Sequence, residues 1–332
     1  MRMIKDQLLT DTYAIYNSDC MYVLPTLPDA SIDLSIYSPP FAGLYNYSSS
    51  ENDFSNCESK EQFLAQYEFL IEQMGRVTKP GRMTIVHCQH IPEKGNKLWH
   101  FPSHILEMHE RHGFEFFDER YIWKEPLAVA LRTRAQGLQH KWVVKDSTKT
   151  RSALGDILMI FRKKGENQVP VTHPKGFTRY AGAIPVPPYL EHLYGNWGAL
   201  VDRYKNCQDP RENKMSQIIF RRYASVFWDD IRVDNVLSYK EGKDEDDEKH
   251  VHPLQLDVID RCMDMYSNPG EVVLTPFMGV GSEVYGAVSY GRFGIGIELK
   301  ESYYKQAIKN LKDVKSRFAA DDAATLFDSQ SI

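Results

Sequence analysis

Apolar residues recur along this chain in two spacings, one typical of strands and one typical of helices. Ile32, Leu34 and Ile36 alternate with small or polar residues, which predicts a strand. Two prolines end it, because proline fixes φ and has no backbone N–H to donate. Apolar residues at helical spacing then predict a helix over residues 61–77, stopped by Lys79-Pro80-Gly81. A buried strand is predicted next, over residues 82–88.

The alternation continues in much of the remaining chain. Further strands are predicted from residue 13 and at 114–123, 271–274 and 293–297. Further helices are predicted at 105–112, after 252–255, at 283–289 and at 302–311. Strands that alternate with helices favour a parallel α/β sheet. Residues after about 317 are predicted to form a polar tail.

The middle of the chain has a different character. Beyond residue 124 the periodicity is weak, and an acidic run at 243–249 predicts a flexible connector. Residues 120–225 contain 19 Lys and Arg against 8 Asp and Glu, in a chain of net charge −5. Such a basic region indicates contact with phosphates, or it is chance surface charge. The candidate DNA-binding residues are Arg132, Arg134, Lys141, Lys145 and Arg151.

Composition adds limits but no function. The 332 residues are 42% hydrophobic and 26% charged, which is ordinary for globular proteins. The chain has no run of eighteen apolar residues and no signal-peptide core, so neither a membrane span nor export is predicted. Five scattered cysteines without CxxC spacing suggest no zinc site and no disulfide framework. A cytoplasmic protein without a bound metal is expected.

A stiff corner is predicted where the strand around Leu34 ends. It presents the Ser38 hydroxyl, the Pro39 carbonyl and the ring of Phe41. These groups suit a planar substrate with an amino group, which would donate to the two oxygens while its ring stacks. A lone Ser-Pro-Pro sequence is more often only a rigid turn. A second motif far along the chain fits the same chemistry.

That second motif is a strand, a glycine turn, a helix, a strand and an acid. Gly279 and Gly281 would let the backbone approach a ligand at the helix start. Glu298, at the tip of the next strand, suits two ribose hydroxyls. The competing interpretation is a tight helix-packing turn with Glu298 on the surface. Because a full GxGxxG is absent, a smaller adenosine-bearing ligand is favoured over a dinucleotide.

Ser38-Pro39-Pro40-Phe41 and the sequence from Thr275 to Ser282 together resemble DNA amino-methyltransferases. These enzymes methylate exocyclic base amines using S-adenosylmethionine. The catalytic motif comes first and the cofactor motif last, which is similar to the beta arrangement of that family. The resemblance covers about residues 13–126 and 250–312.

The resemblance implies a Rossmann-like S-adenosylmethionine-dependent methyltransferase fold with an inserted target-recognition region. The expected parts are a catalytic half (1–126), the target-recognition insertion with its acidic linker (127–249), a cofactor-binding half (250–316) and the tail (317–332). The implied base-holding residues are Ser38, Pro39, Pro40 and Phe41. The implied cofactor-binding residues are Phe277, Gly279, Gly281, Ser282 and Glu298, with Asp19 near the adenine. Considered without the resemblance, Asp19 is better interpreted as a helix cap.

One departure from the family pattern is Thr275, which stands where the family usually has Asp beside the methionine amino end. Either cofactor binding is weakened or another acid substitutes. In having serine at position 38, the motif resembles that of enzymes acting on the 4-amino group of cytosine. Enzymes that act on adenine more often carry Asp or Asn at this position. The expected partner is double-stranded DNA, with a second copy and a cognate restriction endonuclease as candidates. Open alternatives are adenine as the target, a catalytically silent DNA-binding regulator and a nucleotide-dependent oxidoreductase.

Overall fold

The computed structural model describes residues 4–40, 57, 59–93, 95–133, 135–183, 214–242 and 252–316. The strands in these ranges are β1 (Ile4–Leu9), β2 (Tyr13–Ser18), β3 (Ile32–Tyr37), β4 (Thr78–Cys88), β5 (Ile91–Glu93), β6 (Lys97–Trp99), β7 (Phe114–Ile122), β8 (Asp156–Lys163), β9 (Phe227–Trp228), β10 (Val272–Thr275) and β11 (Phe293–Glu298). The helices are α1 (Cys20–Val23), α2 (Lys60–Val77), α3 (Phe101–Arg111), α4 (Pro126–Thr133), α5 (Lys141–Lys145), α6 (Lys214–Tyr223), α7 (Leu256–Tyr266), α8 (Ser282–Ser289) and α9 (Glu301–Leu311).

Nine of these strands form one sheet, in the order β1-β2-β11-β10-β3-β4-β8-β7-β9. The five strands from β2 to β4 in this order are parallel, and β8 runs antiparallel to both β4 and β7. The carboxyl ends of β10 and β3 therefore lie side by side, although they come from opposite halves of the chain. In parallel sheets ligands bind at this edge.

The core lies on both faces of the sheet. All six residues of β3 are buried, as expected for a strand covered on two sides. One face packs against α2 and α3 through residues such as Phe63 and Phe101. The other packs against α7 and α8 through residues such as Ile259 and Ala287, and α9 packs beside α8. The predicted parallel α/β architecture is confirmed.

The helix at α2 is confirmed, but the strand after it begins earlier than predicted. β4 starts at Thr78 rather than at residue 82. Gly81, at φ 74°, lies within it, and the register against β3 shifts between Ile32 and Leu34. Lys79-Pro80-Gly81 thus ends the helix but forms an irregularity inside the strand.

One expectation for the middle of the chain is wrong. Residues 156–163, assigned to an irregular insertion, form β8 between β4 and β7 in the central sheet. The unbroken run from Ile157 to Phe161 is buried, which is the pattern of an interior strand rather than of a surface segment. The edge strand β1 was not predicted either, because its sequence IKDQLL is mostly exposed and weakly patterned.

Several predictions fall outside the described residues. They concern the loop over 42–57 (only Cys57 is described there), the acidic connector at 243–249 and the tail at 317–332. Within the described ranges, none of the helices combines the length and the apolar character that crossing a membrane requires.

Candidate active site

A cleft of about 810 Å³ opens at the carboxyl edge of the parallel strands. Both motifs contribute to it. The sequence-predicted residues that line it are Asp19, Ser38, Pro39, Pro40, Phe277, Gly279, Ser282 and Glu298. The two distant segments thus meet in one cavity, because β3 and β10 are neighbours in the sheet.

The glycine turn between β10 and α8 is tied to the end of β11. Gly279 adopts φ 53°, a conformation that glycine tolerates best, and a β-carbon there would meet no atom within 4 Å among the described residues. Its N–H donates to Glu298 Oε2 at 2.7 Å, and the Lys300 N–H donates to Oε1 at 2.8 Å. Glu298 therefore fixes the turn, and it also lines the cleft.

Gly281 does not line the cleft. It precedes α8 at φ 94°, and a β-carbon there would come within 3.2 Å of the Ala307 β-carbon on α9. The turn conformation and the close approach of α9 explain this glycine. A direct cofactor contact of Gly281 remains a prediction.

Asp19 caps a helix and also lines the cleft, while its contact with the adenine remains a prediction. Its carboxylate accepts the Met21 N–H at 2.9 Å and so caps α1. The same side chain lines the cleft, where burial raises its pKa. Phe277, which lines the cleft, packs edge-on against the buried Tyr37, with ring centroids 6.0 Å apart.

Three side chains near the glycine turn carry oxygen atoms suited to a polar ligand. Thr275 Oγ1 and Ser282 Oγ are buried and have no hydrogen-bond partner within the described residues. Glu283 lines the cleft and is only 5% exposed, and burial, followed by the charge of Glu298, raises its pKa to about 8. The cluster fits the amino-acid end of S-adenosylmethionine, which brings hydrogen-bond donors and a positive charge. Glu283 is an acid in the neighbourhood where Thr275 lacks one.

The proline corner belongs to a row of polar side chains across the sheet edge. Ser38 Oγ lies 2.9 Å from His87 Nδ1. His87 Nε2 lies 3.1 Å from Asp156 Oδ2, within ion-pair distance although not aligned as a hydrogen bond. Lys124 Nζ donates to Asp156 Oδ1 at 2.5 Å. All four residues line the cleft.

The sheet order explains this row. Ser38 follows β3, His87 is near the end of β4, Asp156 begins β8 and Lys124 follows β7, and these four strands are neighbours in that order. Because β8 is reversed, its first residue lies at the edge where the others end. Burial opposes ionisation of Asp156, but His87 and Lys124 hold its pKa well below its ordinary value.

Sequence reasoning missed three members of the row. His87 was hidden inside an apolar strand, Lys124 stood at a presumed boundary, and Asp156 lay in the segment read as irregular. The only signal for Asp156 was its position directly before the apolar run of β8.

The candidate DNA-binding residues lie in different places in the structure. Arg151 lines the cleft, and its Nε and Nη1 are buried without a hydrogen-bond partner in the described ranges. Lys141 and Lys145 are exposed on α5. The backbone of Arg132 lies in α4 but its side chain is not described. Arg134 and Phe41 lie outside the described residues.

The glycine turn and the proline corner share one cleft at the carboxyl edge of an open α/β sheet, which is where enzymes of this fold class bind their ligands. The DNA methylase profile of N6/N4 methyltransferases matches residues 32–309, most of the sequence. The chain belongs to this DNA methylase family.

Curated relatives agree with this assignment. The chain is 23% identical over 308 residues to the type II methyltransferase M.BamHI of Bacillus amyloliquefaciens, covering 92% of this chain but 59% of that protein. It therefore spans less than two thirds of that relative. It is 24% identical to the DNA adenine methyltransferase YhdJ of Escherichia coli K12, covering 93% of this chain and 86% of YhdJ.

Solved structures share the fold. TTHA0409 of Thermus thermophilus, described as a DNA modification methylase complexed with S-adenosyl-L-methionine, superimposes with a TM-score of 0.54 at 18% identity, over 89% of this chain and 93% of that one. The cytosine-N4-specific PvuII DNA methyltransferase gives 0.54 at 16% identity, over 90% and 86%. At such identities the likeness concerns the fold alone.

Proposed function

We propose that this protein transfers the methyl group of S-adenosylmethionine to the exocyclic 4-amino group of a cytosine flipped out of double-stranded DNA. The observation that carries the proposal is the shared cleft, with Ser38 and Pro39 on one side and Phe277, Gly279 and Glu298 on the other. One side suits an amine and the other an adenosine.

The chemistry requires positioning above all. A paired base cannot reach a methyl donor at the bottom of a cleft, so it must leave the helix. The amine lone pair is delocalised into the base ring and is a weak nucleophile. Hydrogen bonds from the amine to Ser38 Oγ and the Pro39 carbonyl would hold it pyramidal and aim the lone pair at the methyl carbon. Phe41 would stack on the base.

The cofactor would bind in the other half of the cleft, around the glycine turn. Asp19 and Phe277 would surround the adenine, Glu298 would accept the ribose hydroxyls, and Ser282 and Glu283 would face the amino-acid end. When bound, S-adenosylmethionine supplies an electrophilic methyl group.

Cytosine is the proposed target because Ser38 begins the motif. The alternative is the 6-amino group of adenine, which the name of the E. coli relative YhdJ favours. Both bases offer an amine with two hydrogens, so the same pair of acceptors serves either.

Double-stranded DNA is proposed to lie against the wall formed by the target-recognition region within residues 127–249. Arg151 lines the cleft in this region, and the exposed Lys141 and Lys145 lie nearby in sequence on α5. Exposed cations suit phosphate contacts. A second copy of the chain, a cognate restriction endonuclease and a cytoplasmic location remain predictions.

The test is methyl transfer from labelled S-adenosylmethionine to plasmid DNA, followed by digestion to nucleosides and mass spectrometry. N4-methyl-2′-deoxycytidine is expected as the product. Ser38→Ala and Phe41→Ala should each lower transfer by about 100-fold or more while leaving the circular dichroism spectrum and cofactor affinity unchanged. Normal transfer by both variants would remove the catalytic assignment, and N6-methyl-2′-deoxyadenosine as the product would replace cytosine by adenine.

A further inference from the structure

The amine must lose a proton when it is methylated, and the row formed by Ser38, His87, Asp156 and Lys124 contains groups that can accept it. We propose that His87 takes up this proton through the Ser38 hydroxyl, with Asp156 and Lys124 as positioning residues. This inference rests on the proposed function. It concerns a step that amine methylation cannot avoid, whichever base is the target.

The balance of the step is simple. The amine nitrogen forms a bond to the methyl carbon as the carbon–sulfur bond breaks, so S-adenosylhomocysteine leaves and the nitrogen becomes positively charged. The charged nitrogen then gives a proton to Ser38 Oγ while the Ser38 hydroxyl proton passes to His87 Nδ1. The products are a neutral methylated amine and an imidazolium, which later releases its proton to solvent.

The geometry supports each transfer. Ser38 Oγ is 2.9 Å from His87 Nδ1, an ordinary hydrogen-bond distance. The tautomer of His87 that is protonated on Nε2, the nitrogen on the side of Asp156, would leave Nδ1 to accept the Ser38 hydroxyl. The Ser38 lone pairs are then free to accept from the substrate amine. One proton arrangement therefore serves both base holding and proton removal.

Two charged side chains of the row lie beyond His87. Asp156, on β8, is buried and stays ionised because Lys124 neutralises it and His87 contacts it. Lys124, after β7, is held away from His87 by the intervening carboxylate. Cys88, next along β4, points to the other face of the sheet, where burial raises its pKa. The nearest charge to the imidazole is thus a carboxylate.

A purely structural role for His87 would be to fix the Ser38 side chain. Asparagine separates the two roles, because its amide oxygen can accept the Ser38 hydroxyl but cannot take up a proton. His87→Asn therefore tests proton uptake with the hydrogen bond retained. His90→Asn is the matched control, since His90 lies three residues further along, contacts the ring of His100 and does not line the cleft.

The measurement is the single-turnover rate of methyl transfer to saturating DNA between pH 5.5 and 9. The wild type should show a rate that rises with pH through one histidine titration and then levels. His87→Asn should be slower by about 100-fold or more, the usual scale for general acid–base groups, and should lack that titration. Its S-adenosylmethionine affinity, measured by calorimetry, should stay within twofold. His90→Asn should match the wild type in rate and profile.

A second variant addresses misfolding. His87→Gly leaves space for added imidazole, which should restore transfer in proportion to the fraction of free base. The inference would be overturned if His87→Asn transferred methyl groups at the wild-type rate. It would also be overturned if the rate of that variant still rose with pH through a histidine titration. A slow His87→Gly that binds cofactor but gains nothing from imidazole would overturn it as well.

Failure of the proposed function would look different. If the wild type methylates adenine, the target base is wrong and the same pH series still tests His87. If the wild type transfers no methyl group to either base, the proposed function and this inference both fall.

Discussion

At the scale of single residues, the site depends on where buried polar groups have partners and where they lack them. The Asp156 carboxylate is paired twice, so it stays ionised. Glu283 is equally inaccessible, but within the described ranges it forms no ion pair with a basic side chain, and its pKa is raised to about 8. A buried carboxyl without a cation is costly unless a ligand supplies one.

Glu283 is therefore expected to bind the α-ammonium group of S-adenosylmethionine. Glu283→Gln should weaken S-adenosylmethionine binding about tenfold, roughly 1.4 kcal/mol. Binding of 5′-methylthioadenosine, which lacks the amino-acid end, should not change. Calorimetry with both ligands measures the difference, and Glu301→Gln, an exposed acid paired with Lys305, is the control.

The affinity for S-adenosylmethionine should also depend on pH through Glu283. Only the ionised carboxylate attracts the cation, so binding should release a proton below pH 8, and wild-type affinity should rise from pH 6 to 7.5. The Glu283→Gln variant should show neither effect. Equal losses for both ligands would mean that Glu283 only supports the turn.

At the scale of elements, reversal of one strand builds the row at the sheet edge. If β8 ran parallel to β4, Asp156 would lie at the opposite edge, out of reach of His87.

The apolar run of β8 also contributes to the packing of α3, because Phe161 of β8 contacts the ring of His109. The two rings stack with centroids 4.0 Å apart, and His109 is fully buried.

His109 should make the packing of α3 on the sheet sensitive to acid. Burial lowers its pKa to about 3, against 6.5 when unfolded, so the unfolded state takes up a proton first as pH falls. Its contribution to stability is complete above pH 6.5 and is lost progressively between 6.5 and 3. From pH 7 to 5 this loss amounts to about 2 kcal/mol.

His109→Phe keeps a ring at this position and removes the titration. Urea unfolding at pH 7 and pH 5 should show a smaller loss of unfolding free energy in the variant than in the wild type. An identical loss in both proteins would assign the acid sensitivity to other groups.

At the scale of the whole molecule, the cleft joins the glycine turn and the proline corner, and Arg151 of the basic region also lines it. If Lys141 and Lys145 contact phosphates, Lys141→Ala and Lys145→Ala should weaken DNA binding on every sequence alike. Each should also reduce the slope of log affinity against log salt by about 0.9. Fluorescence anisotropy over a salt series measures this, with the exposed Lys312→Ala, after α9, as the control. Unchanged slopes would place the DNA elsewhere.

Much of the architecture was accessible from the sequence. Periodic segments such as α2 and β3 were found because each buries a continuous face whose spacing is local information. The interior strand β8 was missed because an isolated apolar run carries no periodicity, and its surroundings were irregular and basic. For the same reason Asp156 could not be recognised as part of a site.

The sequence by itself determined the α/β class and the two motifs, because a proline corner and a glycine turn depend on φ preferences of their own residues. It also supplied Ser38, Pro39, Gly279 and Glu298. Only the tertiary structure decided that these segments share one cleft and that Ser38 meets His87 and Asp156. Those contacts depend on strand order and direction, which are set by packing between residues far apart in the chain.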